Sequence, residues 1–197
     1  MSRVPLPGGR DVSATLDAPD GGAVACVVAC PPHPKHGGRR SDRRLRAVAN
    51  GLVDRGVACL RFDYGPWDGG RGERRDAGNA LEWASDRYEC VGLFGYSFGG
   101  AVALWVAADR TDIGAATALA PAPPLSDEGD AVSALDRVDA PMLVVSGERD
   151  DAVDWRPVVE RARELGHRVE SLPADHRFIG RSDDVANAVV PFLVDHL

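Results

Sequence analysis

Two apolar runs bracket a glycine-flanked serine near the middle of this 197-residue chain, and that arrangement leaves few ways to fold. Glu89-Cys90-Val91-Gly92-Leu93-Phe94 reads as a buried strand, and Ala101-Val102-Ala103-Leu104-Trp105-Val106-Ala107-Ala108 as a buried helix. Between them stands Gly95-Tyr96-Ser97-Phe98-Gly99-Gly100. Passing from strand to helix in so few residues demands a tight turn. It leaves Ser97 with strained backbone angles and its hydroxyl clear of the sheet. Glycines at 95 and 99 let neighbouring backbones approach, and the helix start offers free N–H groups. Ser97 is the candidate nucleophile.

The rest of the chain alternates in the same way. Residues 11–17 alternate weakly and suggest an edge strand. Ala23 to Ala29 is a continuous apolar run, as expected for a strand covered on both faces. Ser41 is placed to cap a helix whose apolar stripe is Leu45, Val48, Ala49, Leu52 and Val53, stopped at Gly56. Strands are expected at Val57–Phe62, Ile113–Ala120, Pro141–Ser146 and His167–Leu172. Helices are expected over 73–86 and Trp155–Leu165, and after a cap at Ser182. Alternation of this kind implies an α/β fold of one domain over 1–197: a mostly parallel, doubly wound sheet with helices on both faces. Right-handed crossovers place the loops after the strands on one edge, where ligands bind in such sheets.

Composition excludes several classes. The net charge of −7 and the lack of a long basic tract argue against a nucleic-acid partner. The densest basic cluster, Arg39-Arg40 with Arg43-Arg44, reads as a solvated helix face. No apolar stretch is long enough to span a membrane and no signal-peptide pattern opens the chain, so a cytoplasmic protein with no membrane partner is expected. Cys26, Cys30, Cys59 and Cys90 all fall in or beside expected core strands, with no zinc spacing. Neither a metal nor a cofactor is expected.

A serine hydroxyl needs a base within reach, and the base needs an orienting partner. His176 follows the last expected strand, in Pro173-Ala174-Asp175-His176, and is the candidate base. His167 opens a strand and His196 ends a helix, so both read as surface groups. Asp150, in Gly147-Glu148-Arg149-Asp150, is the preferred acid. Asp151 is its nearest rival, Asp127 and Asp130 are more distant candidates, and Asp175 reads as a turn residue. A developing oxyanion needs two N–H donors. Phe98, directly after the serine, supplies one. The other is expected in the loop Cys30-Pro31-Pro32-His33-Pro34-Lys35, where His33 carries the one amide between Cys30 and Lys35. His33 and His36 as metal ligands are the weaker reading, with no acidic or cysteine partner nearby in sequence.

Several segments together resemble the α/β-hydrolase superfamily, and most closely its small lidless members akin to dienelactone hydrolases. These are Pro31-Pro32-His33-Pro34 with Gly37-Gly38, then Arg61-Phe62-Asp63-Tyr64-Gly65, the Ser97 turn, and Pro173-Ala174-Asp175-His176-Arg177-Phe178. That group often has a histidine at the position of Pro31 and a phenylalanine at that of Arg177. Dienelactone hydrolases proper typically use a cysteine nucleophile, so Ser97 argues against that specific activity. The resemblance implies Ser97, Asp150 and His176 as a triad, with His33 and Phe98 as oxyanion donors. Residues 121–140 are too few for a helical lid, so an open site is expected, with Tyr64, Trp67, Tyr96, Phe98 and Phe178 as candidate lining. The activity expected is hydrolysis of small carboxylic esters or thioesters through an acyl-enzyme, with a small-molecule acyl substrate as partner. A peptidase of the same fold and an inert binding or scaffold protein are the alternatives.

Overall fold

In a computed structural model, which describes residues 2–122 and 131–197, eight strands form one sheet. In chain order the elements are β1 (Ser2–Pro5), β2 (Ser13–Asp17), β3 (Ala25–Cys30), α1 (Arg43–Val53), β4 (Ala58–Asp63), α2 (Arg71–Ser85), β5 (Cys90–Tyr96), α3 (Phe98–Ala108), β6 (Ala115–Leu119), α4 (Ala131–Leu135), β7 (Met142–Gly147), α5 (Arg156–Glu164), β8 (Arg168–Leu172) and α6 (Ser182–Asp195). The strand order is β1-β2-β4-β3-β5-β6-β7-β8. β1 and β2 pair antiparallel, β2 joins β4 antiparallel, and β3 to β8 run parallel.

The central strands are apolar without interruption because both their faces are covered. On β3, Cys26, Val28 and Cys30 enter the core beneath α2 to α5, while Ala25, Val27 and Ala29 enter the core beneath α1 and α6. Val91 and Leu93 on β5 face the first core, and Phe94 and Tyr96 face the second. β7 splits likewise, with Met142 and Val144 against Leu143 and Val145. Because these strands run parallel, the loops after β3, β5, β7 and β8 all leave at one edge of the sheet. Between β6 and β7 the described residues hold only the five-residue α4, and among the described residues no large lid stands over that edge. No described helix is long and apolar enough to cross a membrane.

Several local expectations need correction. On that side of the sheet the edge strand is β1, and residues 13–17 lie between it and β4. β1 is mostly exposed and shows no alternation, so nothing in its sequence marks it. Asp42, not Ser41, caps α1, its carboxylate accepting from Arg44 N–H at 2.9 Å. Ser182 is the first residue of α6 rather than its cap, a position Arg181 occupies without a side-chain bond. Cys90 is exposed at the start of β5, whereas Cys26, Cys30 and Cys59 are buried. The basic cluster is not a uniformly solvated face: Arg40 pairs with Asp63, and Arg44 pairs with Asp42 and lies over the Tyr96 ring at 4.3 Å.

Candidate active site

The turn between β5 and α3 is forced by two close backbone approaches. A Cβ on Gly95 would lie 1.9 Å from the Gly99 carbonyl oxygen, and one on Gly99 would lie 2.2 Å from that of Cys30. Only glycine fits at both places. Ser97 sits at φ 56°, ψ −119°, a conformation costing about 1–3 kcal/mol for a residue with a side chain. The surroundings hold it there. Its N–H donates to Leu119 O at 2.8 Å, and its carbonyl accepts from Gly100, Ala101 and Ala122 at 2.9, 3.2 and 3.2 Å. Gly95→Ala is expected to destabilise the protein by about 3 kcal/mol or more, since backbone rather than a movable side chain blocks the added methyl. A Tm measured by circular dichroism within a degree or two of the wild type would contradict this.

Ser97 Oγ lies 2.9 Å from His176 Nε2, and His176 Nδ1 lies 2.7 Å from Asp150 Oδ2. Asp150 follows β7 and His176 follows β8, and their loops are tied together. Glu148 N–H donates to Leu172 O at 2.9 Å and Arg149 N–H to Ala174 O at 3.0 Å. The Asp150 side chain is fully buried; its Oδ1 accepts from the Ala152 and Val153 amides at 3.0 and 3.3 Å. These bonds leave Oδ2 aimed at the imidazole. On the other side, the Tyr96 hydroxyl donates to the His176 carbonyl at 2.9 Å. Burial pushes the Tyr96 phenol up to about 12, against the pull of Arg44, so it remains a proton donor at neutral pH.

Asp151 is exposed and Asp175 accepts from Arg177 N–H at 3.0 Å, so neither meets His176 as Asp150 does. Asp127 and Asp130 lie outside the described residues. His167 is half-buried and His196 lies against Phe192 at 4.5 Å between ring centres, both away from this group.

Phe98 N–H is at the first turn of α3, and neither it nor His33 N–H donates a hydrogen bond to any described residue. The His33 loop is held tightly. The His33 carbonyl accepts from the His36 and Gly38 amides, each at 3.0 Å, and its Nδ1 accepts from Lys35 N–H at 3.2 Å. The His33 ring stacks between His36 at 4.6 Å and Trp67 at 4.5 Å, with Phe98 4.9 Å away. Burial, then the neighbouring His36 and Lys35, lower its pKa, so the ring is neutral at pH 7.

Ser97 and His176 open into a cavity of about 510 Å³ whose walls include His33, His36, Tyr96, Arg44 and Arg177. Of the aromatic residues expected to line it, Tyr96 does. Trp67 lies behind the His33 ring, Tyr64 packs edge-on against Phe98 and Phe62, and Phe178 is buried among the residues beneath α1 and α6. Arg44 and His36 were not foreseen. Arg44 reaches the site from α1 by bonding to the Arg177 carbonyl, a partner 133 residues away with no local sequence signal. Among the described residues, no three His, Cys, Asp or Glu side chains gather as a metal site would require.

A doubly wound parallel sheet with a strained serine between strand and helix defines an α/β hydrolase. Residues 71–190 match the dienelactone hydrolase family, and the chain belongs to that family, which makes it a hydrolase. It is 26% identical over 162 residues to an uncharacterised protein of Rickettsia prowazekii, a match covering 77% of this chain and 68% of the relative. An α/β serine hydrolase homologue from Coxiella burnetii superposes with a TM-score of 0.81 at 25% identity, covering 98% of this chain and 97% of that one. Est1E from Butyrivibrio proteoclasticus superposes at 0.87 over 100% of this chain and 99% of its own, and at 18% identity it attests the fold alone.

Proposed function

We propose that the protein hydrolyses small carboxylic esters or thioesters through an acyl-enzyme on Ser97. The observation that carries this reading is the continuous chain of contacts from Ser97 Oγ to His176 at 2.9 Å and on to buried Asp150 at 2.7 Å. With its proton on Nδ1, facing the carboxylate, the imidazole presents the Nε2 lone pair to the serine hydroxyl. Oγ then bonds to the substrate carbonyl carbon while His176 takes its proton. The tetrahedral intermediate collapses as the carbon–leaving-group bond breaks, and His176 returns the proton to the departing oxygen or sulfur. Water repeats the sequence, its oxygen ending on the acid and Ser97 regaining its proton. Asp150 keeps the ring oriented and offsets its positive charge while it holds the extra proton.

The Phe98 and His33 amides would hold the developing oxyanion, the first at a helix start and the second in a loop stiffened by Pro31, Pro32 and Pro34. If the His33 amide acts, its side chain is secondary. His33→Ala should keep kcat within roughly a few-fold, whereas His33→Pro should lose about a hundredfold or more, the usual loss for one oxyanion donor. Full activity in a folded His33→Pro protein would place the second donor elsewhere.

A fluorophosphonate probe tests the whole reading. It should label the native protein stoichiometrically, with the adduct on the peptide that carries Ser97. An unlabelled protein, or label on another serine, would return the chain to an inert binding protein on a hydrolase fold.

A further inference from the structure

The two residues whose amides would hold the oxyanion rest against one irregular loop, residues 64–70, between β4 and α2. Tyr64 packs edge-on against the Phe98 ring at 5.6 Å between centres, and Trp67 stacks on the His33 ring at 4.5 Å. Trp67 also lies 5.6 Å from the Phe98 ring. A displacement of this loop would be felt at both amides. Rich in glycine and without regular structure, the loop does not fix its own shape.

Its anchor comes from an early turn of the chain. Arg10, between β1 and β2, has a side chain only 13% exposed. Its Nε donates to Asp76 Oδ1 at 2.8 Å and its Nη2 to the Pro66 carbonyl at 2.6 Å, with Glu73 Oε1 3.7 Å away. Asp76 and Glu73, on the first turns of α2, are fully buried and hold loop amides in turn. Asp76 Oδ2 accepts from Gly65 N–H at 2.9 Å, and Glu73 accepts from the Asp68 and Gly70 amides at 3.0 and 2.8 Å. Two glycines make room for the arginine. A Cβ on Gly65 would lie 2.3 Å from the Arg10 carbonyl oxygen, and one on Gly72 would lie 2.3 Å from the Arg10 guanidinium carbon. Asp11, beside Arg10, turns the chain at φ 54°, a strained conformation that persists only where the surroundings impose it. Stability alone is a weak reason for such a cluster, because desolvation offsets most of the attraction between buried charges. Directional bonds to the backbone, by contrast, fix where a loop sits.

We propose that Arg10, with Asp76 and Glu73, positions the oxyanion hole, acting through the 64–70 loop on Phe98 and His33. None of the three lines the cavity at Ser97. Their effect falls on the transition state: a displaced N–H stabilises the carbonyl oxygen less once it carries charge, and barely alters binding of the neutral ester. This role depends on the reading of the Phe98 and His33 amides as the oxyanion donors.

The test uses p-nitrophenyl acetate as substrate and 1,1,1-trifluorooctan-2-one as inhibitor, whose hemiketal on Ser97 places a negative oxygen where the oxyanion sits. Arg10→Ala should lower kcat by about tenfold or more, short of the loss of a whole donor, with KM within about twofold of the wild type. The Ki of the ketone should rise by the factor by which kcat/KM falls. The acidic limb of the pH–rate profile, which reports His176, should stay in place, whereas a general loosening of the fold would move it. Gly72→Ala reaches the same guanidinium by another route. Its methyl displaces the arginine while alanine suits a helix better than glycine, so kcat should fall by about fivefold or more in a folded protein. In a Trp67→Ala background, where the contact with His33 is already lost, the factor lost on Arg10→Ala should shrink by about threefold or more. Arg3→Ala, on β1 and outside the cluster, should leave kcat unchanged. A kcat within about twofold of the wild type in folded Arg10→Ala and Gly72→Ala proteins would overturn the proposal. So would a loss carried by KM, a loss that the ketone does not follow, or full additivity with Trp67→Ala. If Arg10→Ala does not fold, Gly72→Ala decides. Full activity in His33→Pro removes the donor reading and this role with it, whereas a loss there beside intact kcat in the Arg10 and Gly72 variants overturns the positioning role alone.

Discussion

Ser97→Ala is expected to lower kcat for a small ester by about a millionfold, the scale at which loss of a serine nucleophile leaves only binding and oxyanion stabilisation. The size follows from what the substitution removes. Without Oγ no acyl-enzyme forms, and His176 has no hydroxyl to deprotonate. Water could take the serine's place, but nothing in the turn would hold it at the attack distance. The fold should persist. Ser97 is half-buried, its side chain has no hydrogen-bond partner besides His176 among the described residues, and its own hold on the turn runs through its N–H and carbonyl. Alanine at φ 56° carries strain comparable to that of serine, so the Tm should change little. The check pairs steady-state kinetics and probe labelling with a thermal melt. Retention of more than about one per cent of wild-type kcat in a variant with an unchanged melt would remove Ser97 from the mechanism.

The parts of this fold that could be read from the chain are those governed by short-range periodicity. The strands β3, β5 and β7 announce themselves as apolar runs because they are buried on both faces. The strand-to-helix turn is legible because two glycines and a serine at fixed offsets have few other uses. Once the strands are parallel, the loops carrying Ser97, Asp150 and His176 must share an edge, and the structure brings the three side chains within hydrogen-bond distance there. The illegible parts depend on distant partners. β1 is an exposed segment that becomes a strand only because β2 offers an unpaired edge. Ser41 and Asp42 are both able to cap, and the choice between them turns on backbone angles that neither residue type dictates. Trp67 looked like a wall of the site and is shielded from it by the His33 ring. Arg44 looked solvated, yet Tyr96 and the Arg177 carbonyl draw it into the wall.

Asp150→Asn is expected to reduce kcat by about ten-thousandfold, and Asp151→Asn by less than about twofold. The two residues are adjacent and carry the same charge, so a long-range electrostatic effect would move them together. Their surroundings separate them. Asp150 is buried, with Oδ1 taken up by the Ala152 and Val153 amides and Oδ2 facing His176 Nδ1, whereas Asp151 is exposed. Asparagine keeps the shape. Its carbonyl oxygen must satisfy the two amides, which turns its NH2 toward the imidazole. The imidazole then has to accept at Nδ1 and moves its proton to Nε2, where it can no longer receive the proton of Ser97. The loss is therefore one of tautomer as well as charge. Raising the pH should recover little of it, because deprotonating water elsewhere does not restore the Nε2 lone pair. Trp155 gives an internal control, since its indole N–H donates to the Asp150 backbone carbonyl at 3.1 Å and reports on whether the turn has moved. Unchanged tryptophan fluorescence with a collapse in kcat for Asp150→Asn alone is the expected result. Equal losses in the two variants, or a larger one in Asp151→Asn, would overturn the assignment of Asp150 as the partner of His176.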